Sequence, residues 1–150
     1  MPELRLRPVR KRDLEVIHAL DQLCFEPDIA YTRGQIRDLL SREHAIGIVA
    51  EVGKELAGFA IGHRLGDRGH VVTLDVASGH RRYGVGRALL EELVEQLEEA
   101  GAHTVRLEVD LRNAAAIRFY ERQGFRETRR LRGYYGDRLD GLEMVREIET

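Results

Sequence analysis

The residues with the most chemical content form one run, Arg81-Arg82-Tyr83-Gly84-Val85-Gly86-Arg87. It lies where a strand pattern gives way to a helix pattern. The first turn of a helix exposes unpaired N–H groups and carries partial positive charge. Gly84 and Gly86 let an anion approach the backbone closely, and Arg81, Arg82 and Arg87 add charge-assisted donors. Together these suit a pyrophosphate; by spacing alone they suit equally well a basic turn eased by two glycines. A Walker loop is excluded, because no Gly-Lys-Ser/Thr triplet exists. A dinucleotide fingerprint would need glycine where Leu89 stands and a tight turn straight off the strand, whereas residues 77–83 intervene. Glu108 or Asp110 follows the glycines by roughly the ~20 residues of a ribose-binding acid, which keeps that alternative open.

Other polar side chains carry less. Glu108 stands between Arg106 and Asp110 on the polar face of a strand, where pattern alone makes it a solvated carboxylate. Tyr120 follows Asn113 by two helical turns, so the two share a face; its neighbour Phe119 is then assigned to the core and Tyr120 to the site. Tyr134 and Tyr135, between Gly133 and Gly136, read either as contact residues on a hairpin or as cover for a sheet edge. His18, His44, His63, His70, His80 and His103 show no ligand spacing and are read as surface or packing residues, so no metal is predicted. Cys24 is the only cysteine, which excludes an intramolecular disulfide.

The elements that must position these residues follow from periodicity. Leu4, Leu6 and Val9 read as a first strand. Asp13 is expected to cap a helix through Cys24 with Leu14, Ile17, Leu20 and Leu23 on one face. A loop containing Pro27 follows, and Thr32 with Gln35 has capping-box spacing for a second helix ending near Arg42. Residues 45–52 and 56–64 flank a turn at 53–55 and suggest a hairpin; after a turn-rich segment at 66–69 comes a strand at 71–76. Gly84 opens a long amphipathic helix with Leu89, Leu90, Leu93, Val94 and Leu97 inward, which Gly101 stops. Val105, Leu107 and Val109 alternate with polar residues in the next strand, Asn113 caps a helix that ends at Gly124, and residues 125–131 and 139–148 complete the sheet. The predicted order is β-α-α-β-β-β-α-β-α-β-β, an α/β chain with a mixed sheet of about seven strands and four helices.

Bulk properties bound the function. The chain has 150 residues, 43% hydrophobic and 33% charged, enough for one domain with a sizeable core. A formal net charge of −2 gives no global attraction to nucleic acid or an anionic membrane, so neither is expected as a partner. No segment approaches the ~20 apolar residues of a membrane span, and the N-terminal residues lack the apolar stretch of a signal peptide. A cytoplasmic protein is the expectation.

Arg81-x-x-Gly84-x-Gly86 resembles the pyrophosphate loop of the GNAT acetyltransferase superfamily. Leu107-Glu108-Val109, then Asn113, Ala116, Phe119-Tyr120-Glu121 and Gly124-Phe125, look like the next strand and helix of that family. Tyr134-Tyr135, Asp140 and Met144 are similar to the tail of the RimI-like and archaeal N-terminal acetyltransferases, which modify the α-amine of ribosomal and other proteins. The match is dense from Leu74 to Met144. Two segments depart from the family pattern: Phe25-Glu26-Pro27-Asp28-Ile29-Ala30-Tyr31 replaces a Phe-Pro-Trp-Ser-like stretch, and Asp140-Gly141-Leu142-Glu143-Met144 replaces Asp-Ala-x-x-Met. Both line the acceptor side in the family.

The resemblance implies one GNAT domain over residues 1–150, acetyl-CoA as cosubstrate and a protein or peptide N-terminus as acceptor. It places the donor against Leu74, Asp75, Val76, Arg81, Arg82, Tyr83, Gly84, Val85, Gly86, Arg87, Asn113 and Tyr120. It implies that Asn113 bonds the pantetheine arm, that the Val76 N–H faces the carbonyl oxygen, that Tyr120 protonates the leaving thiolate, and that Glu108 is the general base, directly or through a water. Phe25, Ile29, Tyr31, Tyr134 and Tyr135 would wall the acceptor groove. The same fold could instead serve a small-molecule amine, a lysine side chain, or a non-catalytic acyl-CoA sensor.

Overall fold

The computed structural model describes residues 3–27, 29–81, 84–135 and 139–148. The elements are β1 (Leu4–Pro8), α1 (Leu14–Cys24), α2 (Arg33–Ser41), β2 (Ala45–Val52), β3 (Glu55–Leu65), β4 (Arg68–Val76), α3 (Val85–Glu99), β5 (Thr104–Asp110), α4 (Ala114–Arg122), β6 (Arg126–Leu131) and β7 (Gly141–Glu147). Short 3-10 turns precede α1 and α3. The element order is the one the periodicity predicts. Seven strands form one sheet in the order β1-β2-β3-β4-β5-β7-β6.

Every neighbouring pair is antiparallel except β4 and β5, which run parallel. That parallel pair is registered at only three positions, Arg68 with Thr104, Gly69 with Val105, and His70 with Arg106. Beyond His70 the two strands part, although β4 continues to Val76 and β5 to Asp110. The C-terminal halves of the parallel strands therefore flank an opening in the sheet.

Two hydrophobic layers hold the sheet. On one face α3 buries Val85, Leu89, Leu90, Leu93, Val94 and Leu97 against Ala60, Val71, Val105, Leu107 and Met144. Each such side chain contributes about 1.5–3 kcal/mol by leaving water. Gly62 lets α3 lie close, since a Cβ there would sit 2.6 Å from Leu93 Cδ1. On the other face Ile17 and Leu20 of α1 and Ile36 and Leu39 of α2 pack on Val49, Phe59 and Ile61. These two helices cover β2 to β4.

Two expectations about α1 need correction. Leu23 is 84% exposed, while Asp21 is fully buried. At 3.6 residues per turn, the stripe through Ile17 continues at positions 20, 21 and 24, and Leu23 falls outside it. Asp13 does not cap α1 with its side chain. Its Oδ2 accepts the Arg10 N–H at 2.7 Å, and both its oxygens accept from Arg7, at 2.8 and 2.9 Å. Arg7 also donates to Glu51 of β2 at 2.8 Å, so the carboxylate ties β1, β2 and the start of α1 together. Thr32 and Gln35 do form the expected capping box on α2.

Candidate active site

The pyrophosphate-type turn has the backbone its glycine demands. Gly84 is the N-cap of α3 with φ +73°, in the left-handed region where a side chain would be strained. A Cβ on Gly86 would lie 3.5 Å from both Phe119 and Val76, so this first turn sits against the end of β4 and against α4. Arg81 does not point at the turn. Its Nε donates to the Val76 carbonyl at 3.2 Å, and its Nη2 lies 4.0 Å from Cys24 Sγ. Arg87 pairs with Glu91 at 2.9 Å along the exposed side of α3. Arg82 and Tyr83, also predicted at this turn, lie outside the described residues.

The end of β4 has two chemically different faces. Leu74 and Val76 pack against the α3 core, as does Val85. Ala77 gives its N–H to Ala57 of β3 at 2.8 Å. Strand alternation therefore turns the Val76 N–H the other way, toward the opening beside β5. Asp75 faces α1, where it meets Asp21; the two are 1% and 0% exposed. Asp75 Oδ1 accepts the Thr73 hydroxyl at 2.6 Å and Asp21 Oδ2 accepts the Tyr31 N–H at 2.7 Å. The remaining oxygens, Asp21 Oδ1 and Asp75 Oδ2, are buried with no other partner. Burial first, and the adjacent Asp21 second, push the Asp75 carboxyl far above the ordinary carboxylate range. Two carboxylates so placed hold one proton between them. Through Tyr31 this pair fixes the loop that joins α1 to α2.

Glu108 is the centre of a second cluster. Its side chain is only 7% exposed. His70 Nε2 lies 2.6 Å from its Oε1, Arg106 Nη1 donates to its Oε2 at 2.6 Å, and the Tyr134 hydroxyl donates to Oε1 at 3.1 Å. Burial alone would raise its pKa; the His70 hydrogen bond and charge, then Arg106 and Tyr134, hold it below the ordinary glutamate value. Tyr134 is itself pushed up to about 12, by burial and then by the Glu108 charge. His70, expected to be a surface or packing residue, is instead one of the two partners at 2.6 Å from Glu108. Only the register of β4 on β5, which places His70 beside Arg106, brings the two together.

The residues expected on the acceptor side fall on two segments flanking Glu108. Phe25, Ile29 and Tyr31 are half-buried on the α1–α2 connection. Tyr31 is raised by burial first and then by Asp21, Glu108 and Asp75. Tyr134 stacks edge-on against Tyr135 at 4.8 Å between centroids, in the segment between β6 and β7. Of the two, Tyr134 reaches Glu108; the Tyr135 backbone N–H pairs with Leu139.

On the α4 side, the Asn113 side chain accepts the Ala116 N–H at 3.1 Å and caps α4 from an exposed position. Tyr120 sits two turns on, with its ring 5.2 Å from Phe119 and 5.9 Å from Phe125. Both Phe119 and Tyr120 lean against the α3 core, so the division expected between them is one of degree. Burial, followed by the Asp75 charge, raises Tyr120, which keeps its hydroxyl protonated at neutral pH. Among the described residues no group of three His, Cys, Asp or Glu side chains is placed to hold a metal ion. Among them, too, no helix is long and apolar enough to cross a membrane.

A helix N-terminus beside an opened parallel strand pair, with a buried carboxylate across that opening, is an α/β arrangement that suits group transfer. The model of the acetyltransferase (GNAT) family matches residues 14–125. The chain is 32% identical to an N-alpha-acetyltransferase of Sulfurisphaera tokodaii, an alignment that covers 95% of this chain and 92% of that one. Its fold superposes with a TM-score of 0.87 on the ribosomal-protein-S18-alanine N-acetyltransferase from Escherichia coli, at 28% identity and covering 99% and 96% of the two chains. It superposes with a TM-score of 0.86 on Arabidopsis thaliana NAA60 in complex with acetyl-CoA, at 25% identity and covering 97% and 99%. The chain belongs to the GNAT acetyltransferase family and is an N-acetyltransferase.

Proposed function

We propose that the protein acts as one catalytic domain that moves the acetyl group of acetyl-CoA to the N-terminal α-amine of a polypeptide. The observation that carries this reading is the position of Glu108. It lies at the opening between β4 and β5, bonded to Tyr134 from the β6–β7 segment and close to Tyr31 from the α1–α2 segment. A chain end inserted between those two segments presents its amine to this carboxylate. The Sulfurisphaera tokodaii relative is an N-alpha-acetyltransferase and the Escherichia coli one acts on a ribosomal-protein alanine, which supports the same acceptor class.

The roles follow from the groups present. The first turn of α3, from Gly84 through Gly86, receives the pyrophosphate on its N–H groups. Arg82, Tyr83 and Arg87 are assigned to the same anion, and Arg81 reaches it by releasing the Val76 carbonyl. Leu74, Val85 and Asn113 flank the pantetheine arm. The Val76 N–H donates to the thioester oxygen as negative charge develops there. An α-amine titrates near pH 7.7–8.0, so part of it is already neutral at physiological pH and the base has only to collect the proton released on attack. Glu108 accepts that proton, directly or through a water, while His70, Arg106 and Tyr134 hold the carboxylate in place. Tyr120 then donates its hydroxyl proton to the leaving thiolate, whose conjugate acid has a pKa of about 8.5.

The test is Glu108→Gln and Tyr120→Phe, each assayed on a peptide library with the modified nitrogen mapped by mass spectrometry. Each substitution is expected to lower turnover by about 10²–10⁴-fold with coenzyme A still binding. Wild-type turnover in both variants removes those roles. Modification confined to lysine ε-amines or to small amines rejects the acceptor class.

A further inference from the structure

The half of the sheet face that carries Glu108 is not covered by α1 or α2, and it continues into a basic hollow. Cross-strand partners share a face, so Arg68 and His70 of β4, Thr104, Arg106 and Glu108 of β5, Glu143 and Val145 of β7 and Arg129 of β6 all point the same way. Arg68, Thr104, Arg106, Arg129, Glu143 and Val145 line a hollow of about 370 Å³ there. Its negative charge is already engaged. Glu143 accepts from the Thr128 hydroxyl at 2.7 Å and pairs with Arg129 at 3.4 Å. Arg106 spends one nitrogen on Glu108 and is 45% exposed. Arg68 makes no side-chain hydrogen bond or ion pair among the described residues.

The route from Glu108 leads to this hollow. At the opposite end of β5, Arg112 bridges Asp110 at 2.7 Å and Glu26 of the α1–α2 segment at 3.2 Å, and Leu111 accepts the β6–β7 segment by donating its N–H to the Asp140 carbonyl at 3.0 Å. That end is bridged; the Arg106 end is open. An extended chain advances about 3.3 Å per residue. With its α-amine at Glu108, its third residue lies beside Arg106 and its fifth above Thr104, between Arg68 and Arg129.

We infer that this hollow is a specificity subsite that takes an acidic side chain at the third to fifth residue of the acceptor polypeptide, received by Arg68, Arg106 and Arg129. The inference rests on the α-amine acceptor reading and names the acceptor class more narrowly. The hollow has room for one or two side chains, a scale that suits an extended peptide better than a folded nucleic acid.

The test uses the full chain, acetyl-CoA and peptides that share their first two residues and carry Glu, Gln or Lys at positions three to five. A charge-assisted hydrogen bond at a half-exposed site amounts to roughly a 10-fold difference in affinity. The wild type is expected to prefer the Glu peptides over the Lys peptides by about that factor, in KM with kcat little changed. The preference should shrink with added salt. The double reversal Arg68→Glu with Arg129→Glu is expected to invert the order while leaving the rate on a blocked dipeptide acceptor unchanged, which shows that the variant is folded. Equal KM values for Glu and Lys peptides in the wild type overturn the inference, as does a preference that the double reversal leaves intact. Saturable binding of single-stranded RNA that the reversal abolishes, without any Glu-over-Lys preference, overturns it in favour of nucleic acid. If α-amines are not acetylated at all while lysine or small amines are, the acceptor reading itself has failed, and that result is distinct from equal rates on all peptides.

Discussion

Asp75→Asn tests the shared proton beneath the α1–α2 loop. Asparagine has the shape of a protonated aspartic acid: its Oδ1 can still accept the Thr73 hydroxyl, and its amide N–H stands where the shared proton now lies between Asp75 and Asp21. In the wild type the folded chain retains a proton that the unfolded chain, with Asp near 3.9, gives up. The native state therefore binds more protons than the unfolded state. Stability is fully present below about pH 4 and declines with rising pH until the folded pKa is passed. The slope is at most about 1.4 kcal/mol per pH unit for one proton. Between about pH 6 and pH 8 the wild type is expected to lose up to ~3 kcal/mol from this source, or roughly 6–12 °C in Tm for a chain of this size. The introduced amide cannot titrate, so the variant lacks that decline. Urea unfolding of both proteins at the two pH values isolates the difference, because every other titrating group is common to them. Parallel losses in wild type and Asp75→Asn would refute the shared proton.

One further outcome concerns the β1–α1 corner and a second the far end of α1. Arg7→Met leaves Asp13 with only the Arg10 N–H and is expected to cost about 2–4 kcal/mol, read as a lower urea midpoint. Arg7 holds Asp13 below the ordinary carboxylate range, so this contribution is present above the unfolded Asp pKa and disappears as the pH falls through the folded one. The gap between variant and wild type should therefore close in acid, and a gap that persists there rules out the ion pair as its cause. Leu23→Gln, at an exposed position on α1, should change stability by no more than about 0.5 kcal/mol; a loss of the size seen for a buried leucine shows that the stripe has been misplaced.

Legibility in the sequence tracks how local each determinant is. The long helix α3 is readable because five inward residues repeat at its own period, and all five are buried. The turns at Gly84 and Gly124 are readable because glycine marks a left-handed backbone, and both have positive φ. Thr32 and Asn113 are readable as caps because their partners lie three residues away. What stays hidden depends on contacts across the sheet. His70 and Glu108 are 38 residues apart, and no periodicity relates them without the register of two parallel strands. Asp21 interrupts an apolar stripe, which is a signal, but its partner Asp75 lies on another element. Arg81 carries the right charge at the right spacing, and its bond to the Val76 carbonyl can be known only once β4 has an end.

The break between β4 and β5 explains why these hidden contacts converge. A continuous parallel pair would occupy the Val76 N–H and the β5 backbone in a ladder and leave no room beside them. By ending the ladder at His70, the fold keeps an N–H without a strand partner on β4 and places a buried carboxylate on β5 at the same gap, with the first turn of α3 at its edge. His70 is the last residue of β4 paired with β5, and Glu108 lies two residues past its partner Arg106, so the proposed base and its histidine partner sit at the vertex where rigid register stops. The paired side holds the two groups at 2.6 Å, and on the other side the strands stand apart. Re-pairing the strands beyond His70 would occupy the Val76 N–H and close the opening together, so the proposed oxyanion donor and the proposed route to Glu108 depend on the same strand break.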